Sequence, residues 1–166
     1  MIRPERPGDE DAIRAVETAA FGREYEPRIV DEVRPSDAFI PELSLVAEED
    51  GRMVGHVMVS WAHVEPSGER LLLLGPIGVM PDRQREGIGS ALVEAALAGG
   101  RALGEPCVAL LGDPKYYGRF GFVRADELGL LPPPDTLHPW AFQVAILDTG
   151  AALPQGQVVY SEPFRH

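Results

Sequence analysis

The stretch Gln84-Arg85-Glu86-Gly87-Ile88-Gly89 lies between an apolar run, Leu71 to Val79, and an alanine- and leucine-rich segment, Ser90 to Leu103. It restricts the chain to folds in which a strand ends in a glycine-bearing loop and feeds directly into a helix. Such a junction is an anion cradle. The first N–H groups of a helix have no internal acceptor, and the helix dipole favours negative charge beside them. Glycine at 87 and 89 removes side chains that would keep a phosphate away.

Spacing separates the common phosphate loops. A P-loop requires Lys-Ser/Thr after its second glycine, whereas Gly89 is followed by Ser90-Ala91. A dinucleotide fingerprint requires a third glycine three residues on, and that position is Leu92. What remains is Q-x-x-G-x-G, preceded by Ile77-Gly78-Val79-Met80-Pro81. About thirty residues further on stands Tyr116-Tyr117-Gly118-Arg119-Phe120-Gly121-Phe122, in which Tyr117, Gly121 and Phe122 match Y-x-x-x-G-F.

With a helix and a strand between them, these two segments resemble the GNAT superfamily of N-acetyltransferases. Leu74 to Val79 and Gly112 to Tyr117 resemble a bacterial branch of predicted acetyltransferases within it. The resemblance covers most of the chain from Met1 to about Arg124. It implies acetyl-CoA as co-substrate and no metal. Ile77, Gly78 and Val79 are then expected along the pantetheine arm, and Gln84, Arg85, Glu86, Gly87, Ile88, Gly89 and Ser90 at the pyrophosphate. Asp113, Tyr116 and Tyr117 complete the implied coenzyme site. The Val79 N–H is the implied donor to the thioester carbonyl, and Tyr117 the implied acid for the leaving thiolate.

At 166 residues the chain is expected to form one domain, residues 1–166, around one core. The single cysteine, Cys107, excludes an internal disulfide and lies in a strand-like run, where a buried, inert thiol is expected. No basic-then-apolar leader opens the chain, and its apolar runs are too short to span a bilayer, so a cytoplasmic protein is expected. The net charge of −11 argues against nucleic acid as the main partner. Arg83 and Arg85, and more weakly Lys115 and Arg119, are expected to form a basic rim for a polyanionic coenzyme on an otherwise acidic body. The acidic remainder suits a cationic amine.

The hydrophobic pattern predicts a short first strand near Met1 to Arg6 and a helix opened by Gly8-Asp9-Glu10-Asp11. Ala12, Ile13, Val16 and Ala19-Ala20 form its expected core face. A second helix is read from Arg28 to Arg34 with Pro27 in its first turn. Strands are expected at Leu43 to Glu48, Met53 to His63, Leu71 to Val79, Pro106 to Leu111 and Phe142 to Leu147. The helix Ser90 to Leu103 is read with Ile88, Leu92, Ala95, Ala96, Gly99 and Leu103 inward. Leu128 to Pro139 reads as loop. The result is an α/β (α+β) fold with a mixed, mostly antiparallel central sheet flanked by helices. The family resemblance adds a splayed strand pair that holds acetyl-CoA.

The implied reaction is direct attack of a primary amine on acetyl-CoA, and the alternative is a non-catalytic acyl-CoA-binding or sensing module of the same fold. The acceptor is expected to be a small-molecule or peptide amine, with no membrane partner; a homodimer is common in such families. His56 suits a proton acceptor by its ordinary pKa, although a single histidine on a strand is more often structural. Glu26, with Glu24 and Asp31, is a candidate for binding the amine. His56, His63, His138 and His166 show no metal-ligand spacing.

Overall fold

The computed structural model describes residues 1–165; His166, one of the four histidines, lies outside the described residues. The chain divides into two compact units, one of residues 1–60 and 74–99, the other of 61–73 and the chain from 100 onward.

In the first unit β1 (Ile2–Pro4) pairs antiparallel with β2 (Ser44–Glu49), with Ile2 opposite Ala47. Strand β2 pairs antiparallel with β3 (Arg52–Glu65), setting Val46 opposite His56. The turn between them is Asp50-Gly51, at φ 51° and 76°. Two left-handed residues in a two-residue loop match the twist of the flanking strands, and Asp-Gly tolerates that conformation. Strand β3 is hydrogen-bonded in turn to β4 (Arg70–Val79).

Helix α1 (Glu10–Phe21) ends at Gly22, whose N–H donates to Thr18 O at φ 68°. It packs on α2 (Tyr25–Val33), and Arg14 Nε of α1 reaches Asp31 Oδ2 of α2 at 2.9 Å. Helix α2 starts three residues earlier than read, but Pro27 remains within the first turn, where its missing N–H costs no helical bond. On α1 the buried positions are Ile13, Val16 and Glu17, whereas Ala12 is exposed. An acid therefore occupies the apolar stripe.

Helix α3 (Ile88–Ala102) begins two residues before the expected start. The Ala91 N–H donates to Gly87 O at 3.0 Å and closes its first turn. Its buried face is wider than the periodicity suggested. Leu92, Val93, Ala96 and Leu97 of the first unit are all buried, whereas Leu103, read as inward, lies past the helix end in the second unit and is exposed.

In the second unit β5 (Cys107–Leu111) pairs parallel with β4 through Leu72 opposite Val108 and Leu73 opposite Ala109. Helix α4 (Pro114–Tyr117) follows, then β6 (Val123–Arg124), β7 (Leu130–Leu131), β8 (Phe142–Ile146) and β9 (Gly156–Val159). Strand β8 lies antiparallel between β5 and β6. Strand β9 runs antiparallel to the end of β3, with His63 opposite Val159, and parallel to β7. The sheet is thus mixed and mostly antiparallel, as expected. Strands β7 and β9 correct the reading of Leu128 to Pro139 as loop and of Phe142 to Leu147 as the last strand. Neither carries enough local alternation to be read alone, and each exists because a distant partner supplies its hydrogen bonds. No helix among the described residues is long and apolar enough to cross a membrane.

The core of this second unit gathers Val64, Leu71, Leu73, Cys107, Ala109, Leu130, Phe142, Val144 and Val158. Burial pushes the Cys107 thiol up to about 11 and the Tyr117 and Tyr160 phenols up to about 12. All three folded values exceed the unfolded ones, so the folded state retains protons that the unfolded chain gives up from about pH 9. Stability is therefore expected to be complete below that point and to fall as pH rises to about 12. Urea unfolding at pH 8 and pH 10.5 checks this, with the midpoint lower at the higher pH.

Candidate functional site

In the first unit, β4 delivers the chain into the loop. Gly78 is buried, while Ile77 and Val79 on either side are half-buried, as strand alternation requires. The Met80 N–H donates to Val54 O at 2.8 Å and pins the strand end to β3. The Gln84 side-chain amide then donates to Val79 O at 3.1 Å, tying the loop back to the strand that precedes it. Arg85 takes a left-handed backbone, φ 66°, and Gly87 another, φ 86°. Left-handed residues interspersed in a loop turn successive amides toward one concavity, the arrangement of anion-binding nests. Gln84 to Gly87 are exposed, and Ile88 is buried and anchors the helix start. The amides of Ile88 and Gly89 open α3, where no helical carbonyl precedes them.

The arginines divide. Arg83 bonds to Glu49 of β2 and to Glu86 at 3.1 Å, so its charge is spent on holding the loop. Arg85 has no ion-pair partner among the described residues. The basic rim is correspondingly thinner than expected, and what the loop offers an anion is chiefly main-chain amides.

A second group in the same unit was legible only in part. Glu17 of α1 and His56 of β3 are both fully buried, with His56 Nδ1 3.5 Å from Glu17 Oε1. The other imidazole nitrogen, Nε2, lies 3.0 Å from Ser44 Oγ. Ser44 donates to Glu5, and Glu5 is held by Arg34 Nε at 2.7 Å. Burial pushes the Glu17 carboxyl up, His56 opposes this, and Glu26 adds to it. Glu26 itself is nearly buried and is paired with Arg23. Glu24 and Asp31 line a surface cavity of about 440 Å³ with Tyr25 and Arg28. Glu17 escaped the sequence reading, although the signal existed: an acid at the i+4 position from Ile13, on the apolar face of α1.

In the second unit, Asp113 caps α4 by accepting from the Lys115 N–H at 2.9 Å, and its carbonyl accepts from Tyr116 and Tyr117 at 3.0 Å. The Tyr117 ring meets Tyr116 edge-on at 4.9 Å and Phe122 at 5.8 Å. It also lies against Gly112, where an added Cβ would stand 2.5 Å from the ring. The ring is therefore held on three sides. The Tyr117 phenol, pushed up to about 12 mainly by burial, keeps its proton throughout the neutral range. Arg119 stacks over Tyr116 at 4.4 Å and donates to its carbonyl at 3.0 Å. Gly112, Asp113 and Pro114 line a cavity of about 360 Å³ with Leu137, His138 and Trp140.

The family described as "Acetyltransferase (GNAT) domain" matches residues 1–125. The uncharacterized N-acetyltransferase YjhQ of Escherichia coli K12 is 34% identical over 116 residues, covering 69% of this chain and 64% of that protein. A crystal structure of the GNAT family N-acetyltransferase YhbS from Escherichia coli, in complex with CoA, superposes with a TM-score of 0.90 at 33% identity, covering 100% of this chain and 92% of that one. A GNAT family acetyltransferase from Brucella melitensis, in complex with acetyl-CoA, gives 0.81 at 38% identity over 99% of this chain and 97% of that one. With a glycine loop that turns left-handed into α3 and a Y-x-x-x-G-F segment capped by Asp113, this chain belongs to the GNAT acetyltransferase family.

Proposed function

We propose that this chain is a cytoplasmic N-acetyltransferase, residues 1–166 acting as one domain, that moves acetyl from acetyl-CoA to a primary amine by direct attack. The observation that carries this reading is the strand–loop–helix junction, with Arg85 and Gly87 left-handed ahead of α3. Its geometry fits a diphosphate, and the similar proteins from Escherichia coli and Brucella melitensis were crystallised with CoA and acetyl-CoA.

When bound, acetyl-CoA supplies an activated acyl thioester. The amides from Arg85 to Ser90 hold its diphosphate, with the α3 dipole favouring the charge. The main chain of Ile77 and Val79 is offered to the pantetheine arm, and the Val79 N–H to the thioester carbonyl, where negative charge builds during attack. Tyr117 holds a proton for the departing sulfur. Asp113 and Tyr116 serve this step by seating Tyr117. The acceptor is a small-molecule or peptide amine.

Thermal denaturation with acetyl-CoA, CoA, ATP and NAD tests the reading. The first two are expected to stabilise the protein by about 2.7 kcal/mol at a hundredfold excess over Kd, and the last two to leave it unmoved. Free-thiol release with an amine panel then separates an enzyme from an acyl-CoA sensor. Absence of any shift with acetyl-CoA at saturation rejects both.

A further inference from the structure

The buried pair Glu17–His56 has no place in the steps above. Both Glu17 carboxylate oxygens and His56 Nδ1 are buried with no hydrogen-bond partner among the described residues. An isolated carboxylate does not persist in such a setting without a proton or a counter-charge. The histidine's tautomer follows from its other side. The Ser44 hydroxyl donates to Glu5, so its oxygen is left to accept, and His56 Nε2 must carry the hydrogen. Nδ1 then faces Glu17 Oε1 either as a lone pair or as a second N–H. If Glu17 is ionised and Nδ1 bare, two acceptors confront each other. One proton between them, on either atom, satisfies both.

The position of the pair points to its use. Gly78 lies in the strand segment assigned above to the thioester, and a Cβ added to it would meet Glu17 Oε1 at 2.8 Å and Ala20 Cβ at 2.8 Å. The carboxylate thus rests against the Cα of Gly78. We infer that Glu17 and His56 form a proton-accepting pair behind Gly78, which takes the proton released when the acceptor amine is acylated. The inference rests on the acetyltransferase reading.

The proton balance closes on named atoms. One proton enters the pair from the amine and settles at Nδ1, beside the Glu17 carboxylate. There the imidazolium and the carboxylate neutralise each other, while Nε2 keeps its hydrogen on Ser44 Oγ. Once the product has left, the pair gives the proton up to solvent through the acceptor site. The charged groups around the pair are Glu26 of α2, which acts on Glu17, and Glu5 with Arg34, which lie beyond Ser44. Glu26 makes Glu17 hold its proton more tightly, and burial does the same. The pair must be empty to act, so turnover rises with pH along a limb set by its deprotonation, above the ordinary carboxylate range.

The test has two arms. The first is the free protein, with 15N-labelled histidine followed by NMR from pH 5 to 10. His56 Nε2 is expected to carry its hydrogen, and the Nδ1 resonance to differ between wild type and Glu17→Gln. The second arm is kinetic, with acetyl-CoA and spermidine, tyramine or an alanine-initiated peptide as acceptor. Glu17→Gln is expected to lower kcat by roughly a hundred-fold or more and to remove the acid limb, with the thermal shift by acetyl-CoA intact. Ser44→Ala, which spares the pair but removes the acceptor that fixes its tautomer, is expected to lower kcat without changing KM for acetyl-CoA. Identical His56 spectra in wild type and Glu17→Gln overturn the inference, as does a Glu17→Gln enzyme with wild-type rate and pH profile. A wild type that binds acetyl-CoA but releases thiol with none of the amines is the sensor outcome and overturns it too. A wild type that does not bind acetyl-CoA rejects the acetyltransferase reading instead, whatever the spectra show.

Discussion

Tyr117→Phe is expected to lower turnover roughly ten- to a hundred-fold, with little change in KM for acetyl-CoA. The substitution removes one hydroxyl and keeps the ring. The contacts that seat it, edge-on to Tyr116 and Phe122 and against Gly112, involve ring carbons that phenylalanine retains. Thermal stability at neutral pH should therefore be close to wild type, so a loss of rate reports chemistry rather than folding. Because the phenol is pushed up to about 12, it stays protonated across the working range. Tyr117→Phe should accordingly leave the shape of the rate profile below pH 10 unchanged while lowering its height. Steady-state kinetics that return the wild-type kcat would remove Tyr117 from the proton-donor role.

Leu92→Ala is expected to destabilise the protein by about 2–5 kcal/mol. Leu92 is fully buried, and its Cδ1 lies over the Cα of Gly55 on β3. A glycine opposite has no side chain that can swing into the space, so most of the deleted volume remains as a cavity, which favours the upper half of that range. The same residue holds the first turns of α3 onto the strand beneath. Loosening it should also reduce the stabilisation gained from acetyl-CoA, because the amides at 88 to 90 are then less firmly placed. Chemical denaturation measures the first effect, and ligand-dependent melting the second. A loss below 1 kcal/mol would mean that the helix relaxes onto β3, contrary to the packing described.

The two motifs were legible because each is contiguous. The strand, the glycine loop and the start of α3 occupy twenty neighbouring residues, and hydrophobic run, glycine placement and helix propensity all point to the same geometry there. The same holds for the Asp50-Gly51 hairpin, whose turn needs only two left-handed residues. The role expected of Arg83 in a basic rim did not follow from its position in the loop. Its partner Glu49 is thirty-four residues away in the chain, and only the packing of β2 beside the loop spends its charge. Strands β7 and β9 were missed for a related reason, since two or four residues with no alternation become strands only when β3 offers an edge to β9 and β9 offers one to β7.

By itself the sequence determined the local units: the glycine loop before α3, the aromatic turn at Tyr116 to Phe122, the acidic balance and the order of helices and strands as far as β5. These depend on interactions within a few residues, which composition and spacing encode directly. Only the tertiary structure decided that Glu17, read as one acid among many, lies in an apolar interior against His56 and Gly78. That environment is made by α1, β3 and β4 together. Desolvation, which turns an ordinary carboxylate into a proton-holding one, is a property of surroundings that no neighbouring residue in the chain can report.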